Sequence, residues 1–143
     1  MQLTDKIYSA IESLSKEGND LMDDDKYEEA ITKWTQALNL LPTPKAEWEA
    51  FMWLSASIGD AHYQQKRYAL ARNNFQDALN APGGVENPFV HFRLGQCQLA
   101  LGNTDPGVNS LLKAYMLDGE EIFLADAGGA TYLKLLKDHN LIK

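Results

Sequence analysis

The chain has 143 residues, 45% of them apolar and 23% charged, which suits one compact domain or one short repeat array with a buried core. Its net charge of −7 leaves no clustered Lys and Arg for phosphate contacts and argues against nucleic acid as a partner. Apolar stretches are a few residues long, far short of the ~20 that cross a bilayer, and the single cysteine, Cys97, rules out an internal disulfide and a cysteine-based zinc cage.

Met1-Gln2-Leu3-Thr4-Asp5-Lys6 has no basic start followed by an apolar run, so a secretory signal is not expected and a cytoplasmic location is. Ile7, Ile11, Leu14, Gly18 and Leu21 fall at helical spacing and predict a first helix over about 4–23. Further helices are predicted at about 26–40, 44–65, 68–80, 88–101 and 105–117. A short turn near 119–124 and a last helix at about 129–138 follow. Thr43-Pro44, Asn87-Pro88 and Asp105-Pro106 each join an N-cap residue to a Pro suited to a first helical turn, predicting helix starts near 44, 88 and 106. Gly83-Gly84 and Gly102-Asn103 read as stops or turns. In the tail, Leu133, Leu136 and Leu141 make an apolar face and Lys134, Lys137 and Lys143 a polar one. A terminal cap over about 120–143 is the expected role.

The small residues repeat. Gly18, Ala30 and Ala37 are separated by 12 and 7 residues; so are Gly59, Ala71 and Ala78, and again Gly95, Gly107 and Ala114. Trp34, Phe75 and Leu111 each lie three before the final Ala, and Tyr27 and Tyr68 three before the middle small residue. Physically this reads as two antiparallel helices per unit, with small residues at the crossing and a large residue filling the space beside it. Only a neighbouring unit can cover the faces left over. Gly18 and Gly59 are 41 residues apart where a unit needs ~34. The surplus is expected to lengthen the helix carrying Trp48, Phe51, Met52 and Trp53.

This pattern resembles the tetratricopeptide repeat (TPR). Lys16-Glu17-Gly18-Asn19-Asp20-Leu21, Tyr27-Glu28-Glu29-Ala30-Ile31 and Ala37-Leu38-Asn39-Leu40 carry the first unit. Ile58-Gly59-Asp60-Ala61-His62-Tyr63, Tyr68-Ala69-Leu70-Ala71 and Phe75-Gln76-Asp77-Ala78-Leu79 carry the second. Leu94-Gly95-Gln96 and Leu111-Leu112-Lys113-Ala114-Tyr115 carry the third. The sequence departs from the pattern at Glu17 and Ser55, and in the third unit at Thr104 and Gly107. The resemblance implies an all-α fold in one domain, with repeats at about 11–44, 45–85 and 88–119 stacked into a short right-handed solenoid and closed by the C-terminal cap.

Motifs that carry chemistry are lacking. Gly83-Gly84 is not followed by the Lys-Ser/Thr of a phosphate loop, and neither G-x-S-x-G nor His-Glu-x-x-His occurs. Asp23-Asp24-Asp25 lacks the spaced ligands, central Gly and distal Glu of a calcium loop and reads as a solvated helix–helix turn. His62 falls on an inward face beside Gly59, and Cys97 reads as a small core residue. His91, six residues from Cys97, belongs to another face of the same helix. No enzyme, metal or cofactor is expected.

A binding surface remains. The resemblance implies that the first helix of each pair lines a concave groove, through Glu12, Ser15, Asn19 and Met22, then Trp53, Ala56, Asp60 and Tyr63, then Phe89, Phe92, Gln96 and Leu99. The expected contact residues are Asn19, Met22, Trp53, Asp60, Tyr63, Phe89, Phe92, Arg93 and Gln96, with aromatics as the anchors; a C-terminal helix folding back would bury several of them. The acid is uneven: residues 1–30 hold nine acids and three lysines, residues 31–143 eleven acids and ten bases. Asp20, Asp23, Asp24 and Asp25 are therefore an expected acidic rim. The carboxylate clamp of this fold, which holds acidic C-termini of heat-shock chaperones, is matched only by Asn19 and Arg93. Too little positive charge gathers to hold two carboxylates. The expected partner is a protein with a basic surface. Asn87-Pro88-Phe89-Val90-His91-Phe92-Arg93-Leu94-Gly95-Gln96-Cys97 and Ala114-Tyr115-Met116-Leu117-Asp118-Gly119-Glu120-Glu121-Ile122-Phe123 also look like those of small free-standing bacterial repeat proteins, some encoded beside toxins. That likeness implies an immunity protein against a toxin, or else an adaptor or chaperone for assembly or secretion.

Overall fold

The computed structural model describes residues 2–143; Met1 lies outside the described residues. Eight α-helices and one 3₁₀ turn account for the described residues, with no strand among them. α1 (Asp5–Asp23) pairs with α2 (Tyr27–Asn39), α3 (Glu49–Gln64) with α4 (Tyr68–Leu79), and α5 (Pro88–Ala100) with α6 (Thr104–Asp118). α2 stacks on α3 and α4 on α5, so the pairs form one continuous array. α7 (Glu121–Ala125) and α8 (Gly129–Asp138) close its C-terminal end.

The small residues lie where expected. A Cβ on Gly18 would stand 2.7 Å from the Trp34 ring, and one on Gly59 3.0 Å from Phe75. The third crossing differs in meeting backbone as well as side chain: a Cβ on Gly95 would meet Leu111 at 2.8 Å and the Gly107 carbonyl at 2.9 Å. Gly107 in turn faces Leu99 at 2.8 Å and the Gly95 carbonyl at 3.1 Å. Glycine at position 107, a departure from the repeat pattern, is thus what lets α5 and α6 meet backbone to backbone.

Three apolar clusters run along the array. Ile11, Trp34, Leu41, Leu54 and Ile58 join the first pair to α3. Phe75, Val90, Leu94 and Cys97 join α4 to α5. Phe92, Leu111, Phe123 and Leu136 join α5 and α6 to the cap. The tail therefore covers the last pair as expected, through Phe123, Leu133 and Leu136. Leu141 does not take part, being exposed, while Ile142 packs against the cluster instead.

The helix start at 88 agrees with its cap, since Asn87 Oδ1 accepts from the Phe89 and Val90 N–H groups at 2.9 and 3.3 Å. The predicted cap at Asp105 does not form: α6 begins at Thr104 after Asn103, whose side chain makes no capping bond, and Asp105 and Pro106 fall within its first turn. The turn expected near 119–124 is the short helix α7. The start predicted near 44 is wrong. Only a 3₁₀ turn, Lys45–Glu47, follows Pro44, and Trp48 is extended before α3 begins at Glu49. The cause is the C-terminus of α2, whose last carbonyls need donors. Lys45 Nζ supplies them, donating to the carbonyls of Leu38, Asn39 and Leu41 at 3.3, 3.2 and 2.8 Å. Trp48 Nε1 donates to the Pro42 carbonyl at 2.8 Å. The surplus residues of the first unit mostly build this link rather than a longer helix.

Gly59 is the least crowded of the three crossings, since a methyl there needs its neighbours to yield by only tenths of an ångström. Gly59→Ala is expected to be near neutral, because alanine's helix preference of about 0.8–1 kcal/mol offsets the contact. Gly59→Leu should cost roughly 1–3 kcal/mol or more through overpacking. Urea unfolding of both variants checks this; equal midpoints for Gly59→Leu and wild type would place Gly59 away from the crossing.

Candidate functional site

The concave face is built by α1, α3 and α5, with the cap folded against its C-terminal end. Its open part is a cavity of about 270 Å³ whose lining includes Asn19 and Met22 of α1, Trp53, Ala56, Ser57 and Asp60 of α3, and Phe89 of α5. Five predicted contact residues, Asn19, Met22, Trp53, Asp60 and Phe89, are thus brought together. Trp53 is half-buried and packs on two of the three clusters at once. Ser57 completes the wall, its hydroxyl donating to the Trp53 carbonyl at 2.9 Å.

Of the other four predicted contact residues, Tyr63 is half-buried, and Phe92, Arg93 and Gln96 are not free to meet a partner. Arg93 is only 6% exposed. Its Nε donates to Asp60 at 2.9 Å, one terminal nitrogen lies 3.1 Å from Asp126, and the other donates to Gln96 at 2.8 Å. Its guanidinium lies 4.4 Å from the Tyr63 ring centroid and 5.1 Å from that of Phe89. Gln96 Nε2 donates to Asp126 at 3.4 Å. Phe92 and Gln96 are each 1% exposed, Phe92 because Phe123 and Tyr132 of the cap pack edge-on against it at 5.0 and 6.3 Å. Phe92, Arg93 and Gln96 therefore form a buried cluster, flanked by half-buried Tyr63, that closes the third unit's share of the groove. Ser15, expected in the lining, is also buried, with its carbonyl accepting from Trp34 Nε1 at 3.4 Å.

Asp126 was not foreseen as part of this arrangement. It lies in the link between α7 and α8, where Gly128 has φ +77° and a Cβ on Gly129 would strike the Phe123 backbone. The consecutive glycines Gly128-Gly129 were the signal for a tight elbow, though not for the carboxylate that the elbow carries into the groove. Burial alone would lower the Arg93 pKa, but Asp60 and Asp126 more than compensate and raise it. Burial raises the Tyr63 pKa, keeping the phenol neutral.

Asp20, Asp23, Asp24 and Asp25 are exposed on and after the last turns of α1. Asp20 pairs with Lys16 at 3.2 Å, and Asp25 accepts from the Tyr27 hydroxyl at 3.0 Å. None of the four lines the concave cavity, though Met22 beside them does.

Cys97 and His91 are packed away in the core. Cys97 is fully buried and its thiol is pushed up to about 12 by that burial. His91 Nε2 is 2.9 Å from the Val85 carbonyl. His62 is half-buried, its Nδ1 without a hydrogen-bond partner, and burial followed by the charge of Arg67 lowers its pKa. No group of three His, Cys, Asp or Glu among the described residues could hold a metal ion. No helix among them is long and apolar enough to cross a membrane.

No protein-family model matches the chain. Solved structures do match its fold. The first TPR of Spaghetti (RPAP3), bound to an HSP90 peptide SRMEEVD, superposes with a TM-score of 0.72 at 16% identity, covering 94% of this chain and 95% of that one. The TPR domain of Arabidopsis OM64 gives 0.72 at 16% identity, covering 93% and 98%. The C-terminal TPR-containing domain of a Plasmodium falciparum protein described as FK506-binding gives 0.75 at 18% identity, covering 97% of each. The architecture is therefore the TPR solenoid.

Removing Arg93 would strand two carboxylates, each less than a quarter exposed. Arg93→Ala is expected to cost about 3–5 kcal/mol in urea unfolding, and Asp126→Asn less, because Asp60 still holds the guanidinium. A separate prediction follows from His62. Its folded-state pKa lies below the unfolded value, so its contribution is fully present above about pH 6.5 and is lost as pH falls through the folded pKa. Between pH 7 and pH 5 the wild-type urea midpoint should therefore fall further than that of His62→Gln.

Proposed function

We propose that this chain is a non-catalytic protein-binding module. Its contact surface is the open, N-terminal part of the concave groove, and its partner is a protein with a basic surface. The observation that carries the reading is the cavity holding half-buried Trp53 beside Met22, Phe89 and Asp60. A large aromatic at the centre of a concave surface is the residue type that anchors interfaces. The exposed acids of residues 1–30 add the charge that draws a basic partner in.

The HSP90 peptide bound by the RPAP3 domain ends in acidic residues. A ligand of that kind is disfavoured here. Arg93, the one cation that matches the clamp, is already held between two carboxylates of its own chain, and Ser15 and Asn19 bring no charge. A small acidic chain without catalytic groups fits best as an immunity protein that occupies and neutralises a basic toxin. The likeness to a peptide-bound TPR domain favours the second reading, an adaptor or chaperone for assembly or secretion. Affinity capture from the native host with mass spectrometry separates the two by the identity of the partner.

The groove is tested by Trp53→Ala, expected to speed dissociation and cost on the order of 2 kcal/mol or more. Because Trp53 also packs in the core, Asn19→Arg serves as the companion variant: Asn19 is exposed, and a cation there should repel a basic partner without disturbing the fold. Neutralising Asp23, Asp24 and Asp25 together should mainly slow association, with an effect that fades as salt is raised. Cells carrying the toxin should survive with the wild-type chain and die with Asn19→Arg at matched expression. Normal binding and protection by both groove variants would move the contact surface elsewhere.

A further inference from the structure

A second cleft, of about 510 Å³, lies between the N-terminal end of α1 and the start of α3. Tyr8, Trp48 and Trp53 bring aromatic rings to it, and Asp5 and Glu49 bring carboxylates; no basic side chain among the described residues lines it. Tyr8 is 51% exposed. Trp48 is fixed by its indole hydrogen bond to Pro42. Asp5 and Glu49 occupy the first turns of their helices and form no ion pair among the described residues.

The chain itself shows what such a set of groups holds. Around Arg93, two carboxylates grip the guanidinium edge while the Tyr63 and Phe89 rings lie against it. The outer cleft has the same components, two carboxylates and several aromatic rings, without a guanidinium of its own. Rings attract cations through the negative charge on their faces. A guanidinium fits better than an ammonium, because it is planar enough to stack and can reach two carboxylates at once.

We propose that this cleft binds an arginine side chain of the protein partner. The inference rests on the protein-binding reading above and gives the basic partner its chemistry. Trp53 lines both this cleft and the concave cavity. A single partner segment would therefore place an apolar residue in the groove and an arginine beside it, with Trp53 as the wall between them.

The test is a two-dimensional NMR titration of the full chain with Nα-acetyl-arginine amide, and in parallel with the citrulline amide, which has nearly the same shape and no charge. Saturable shifts are expected for Tyr8 and for the Trp48 and Trp53 indoles, with the Trp34 indole unmoved. Citrulline should bind at least about tenfold more weakly. Asp5→Asn combined with Glu49→Gln, both at exposed positions, should abolish the response while the Trp34 signal reports an intact fold. An absent or non-saturating response to arginine, an equal response to citrulline, or full retention in the double variant would each overturn the proposal. If the amide fails while Asn19→Arg still abolishes partner binding, the arginine cleft falls and the groove stands. If the amide binds as expected while Asn19→Arg binds the partner normally, the cleft stands and the groove reading falls.

Discussion

Two helices can approach backbone to backbone only where a side chain is missing from at least one of them. Everything else in this array follows from three such places. Gly18, Gly59 and Gly95 each present bare backbone to a large residue of the paired helix, Trp34, Phe75 and Leu111. The large residue lies across the glycine, so the ring or branched chain fills the crossing and fixes its register. With the pairs this close, each helix turns its remaining apolar face to the next pair, and the clusters of the core form along the stack. The third pair carries the principle furthest, since Gly107 mirrors Gly95 and the two carbonyls bracket the contact.

The array would leave its last concave face open if the cap only covered the end. It does more, because the α7–α8 elbow carries Asp126 to Arg93. An arginine taken so far out of water needs full compensation, and Arg93 receives it from Asp60, Asp126, Gln96 and three aromatic rings. These partners come from α3, α5 and the cap. The cluster therefore ties the second unit to the tail through polar contacts, while Phe92, Phe123 and Leu136 tie the third unit to the tail through apolar ones. The functional consequence is a shortened groove, bounded at one end by the first helix and at the other by a sealed ion cluster.

How much of this could be read in advance depended on whether a feature is periodic. The helix pairs were legible because Gly, Ala and the large residue recur at fixed spacing, and Asn87 was legible because an N-cap and a proline act within one turn. Five of the predicted groove residues come together for the same reason, since repeat positions two, five, nine and twelve follow the helical period. What failed was aperiodic. Lys45 bends back to the end of α2, and no local signal separates that lysine from a helix-starting one. Phe92 and Gln96 sit at lining positions by phase and Arg93 beside them, but their fate was set by a carboxylate and two rings more than twenty-five residues later in the sequence. The outer cleft is of the same kind: Tyr8 and Trp48 belong to no repeat position, and only the fold places them together.

The distribution of charge now has a structural reason. Asp60 and Asp126 are spent on one guanidinium, and two carboxylates against one cation leave the inner end of the groove negative. Asp60 belongs both to this cluster and to the wall of the open cavity. A ligand carboxylate entering the groove would thus meet a negative end, not the pair of cations that a clamp requires. A cationic group meets the reverse: negative charge at the end of the groove, aromatic faces along it, and the solvent-exposed acids of residues 1–30 on the approach. The exposed acids act at range and are screened by salt, whereas those flanking the rings act at contact, where less water intervenes. On the proposed reading, attraction and seating fall to different carboxylates, and both would favour a positive partner.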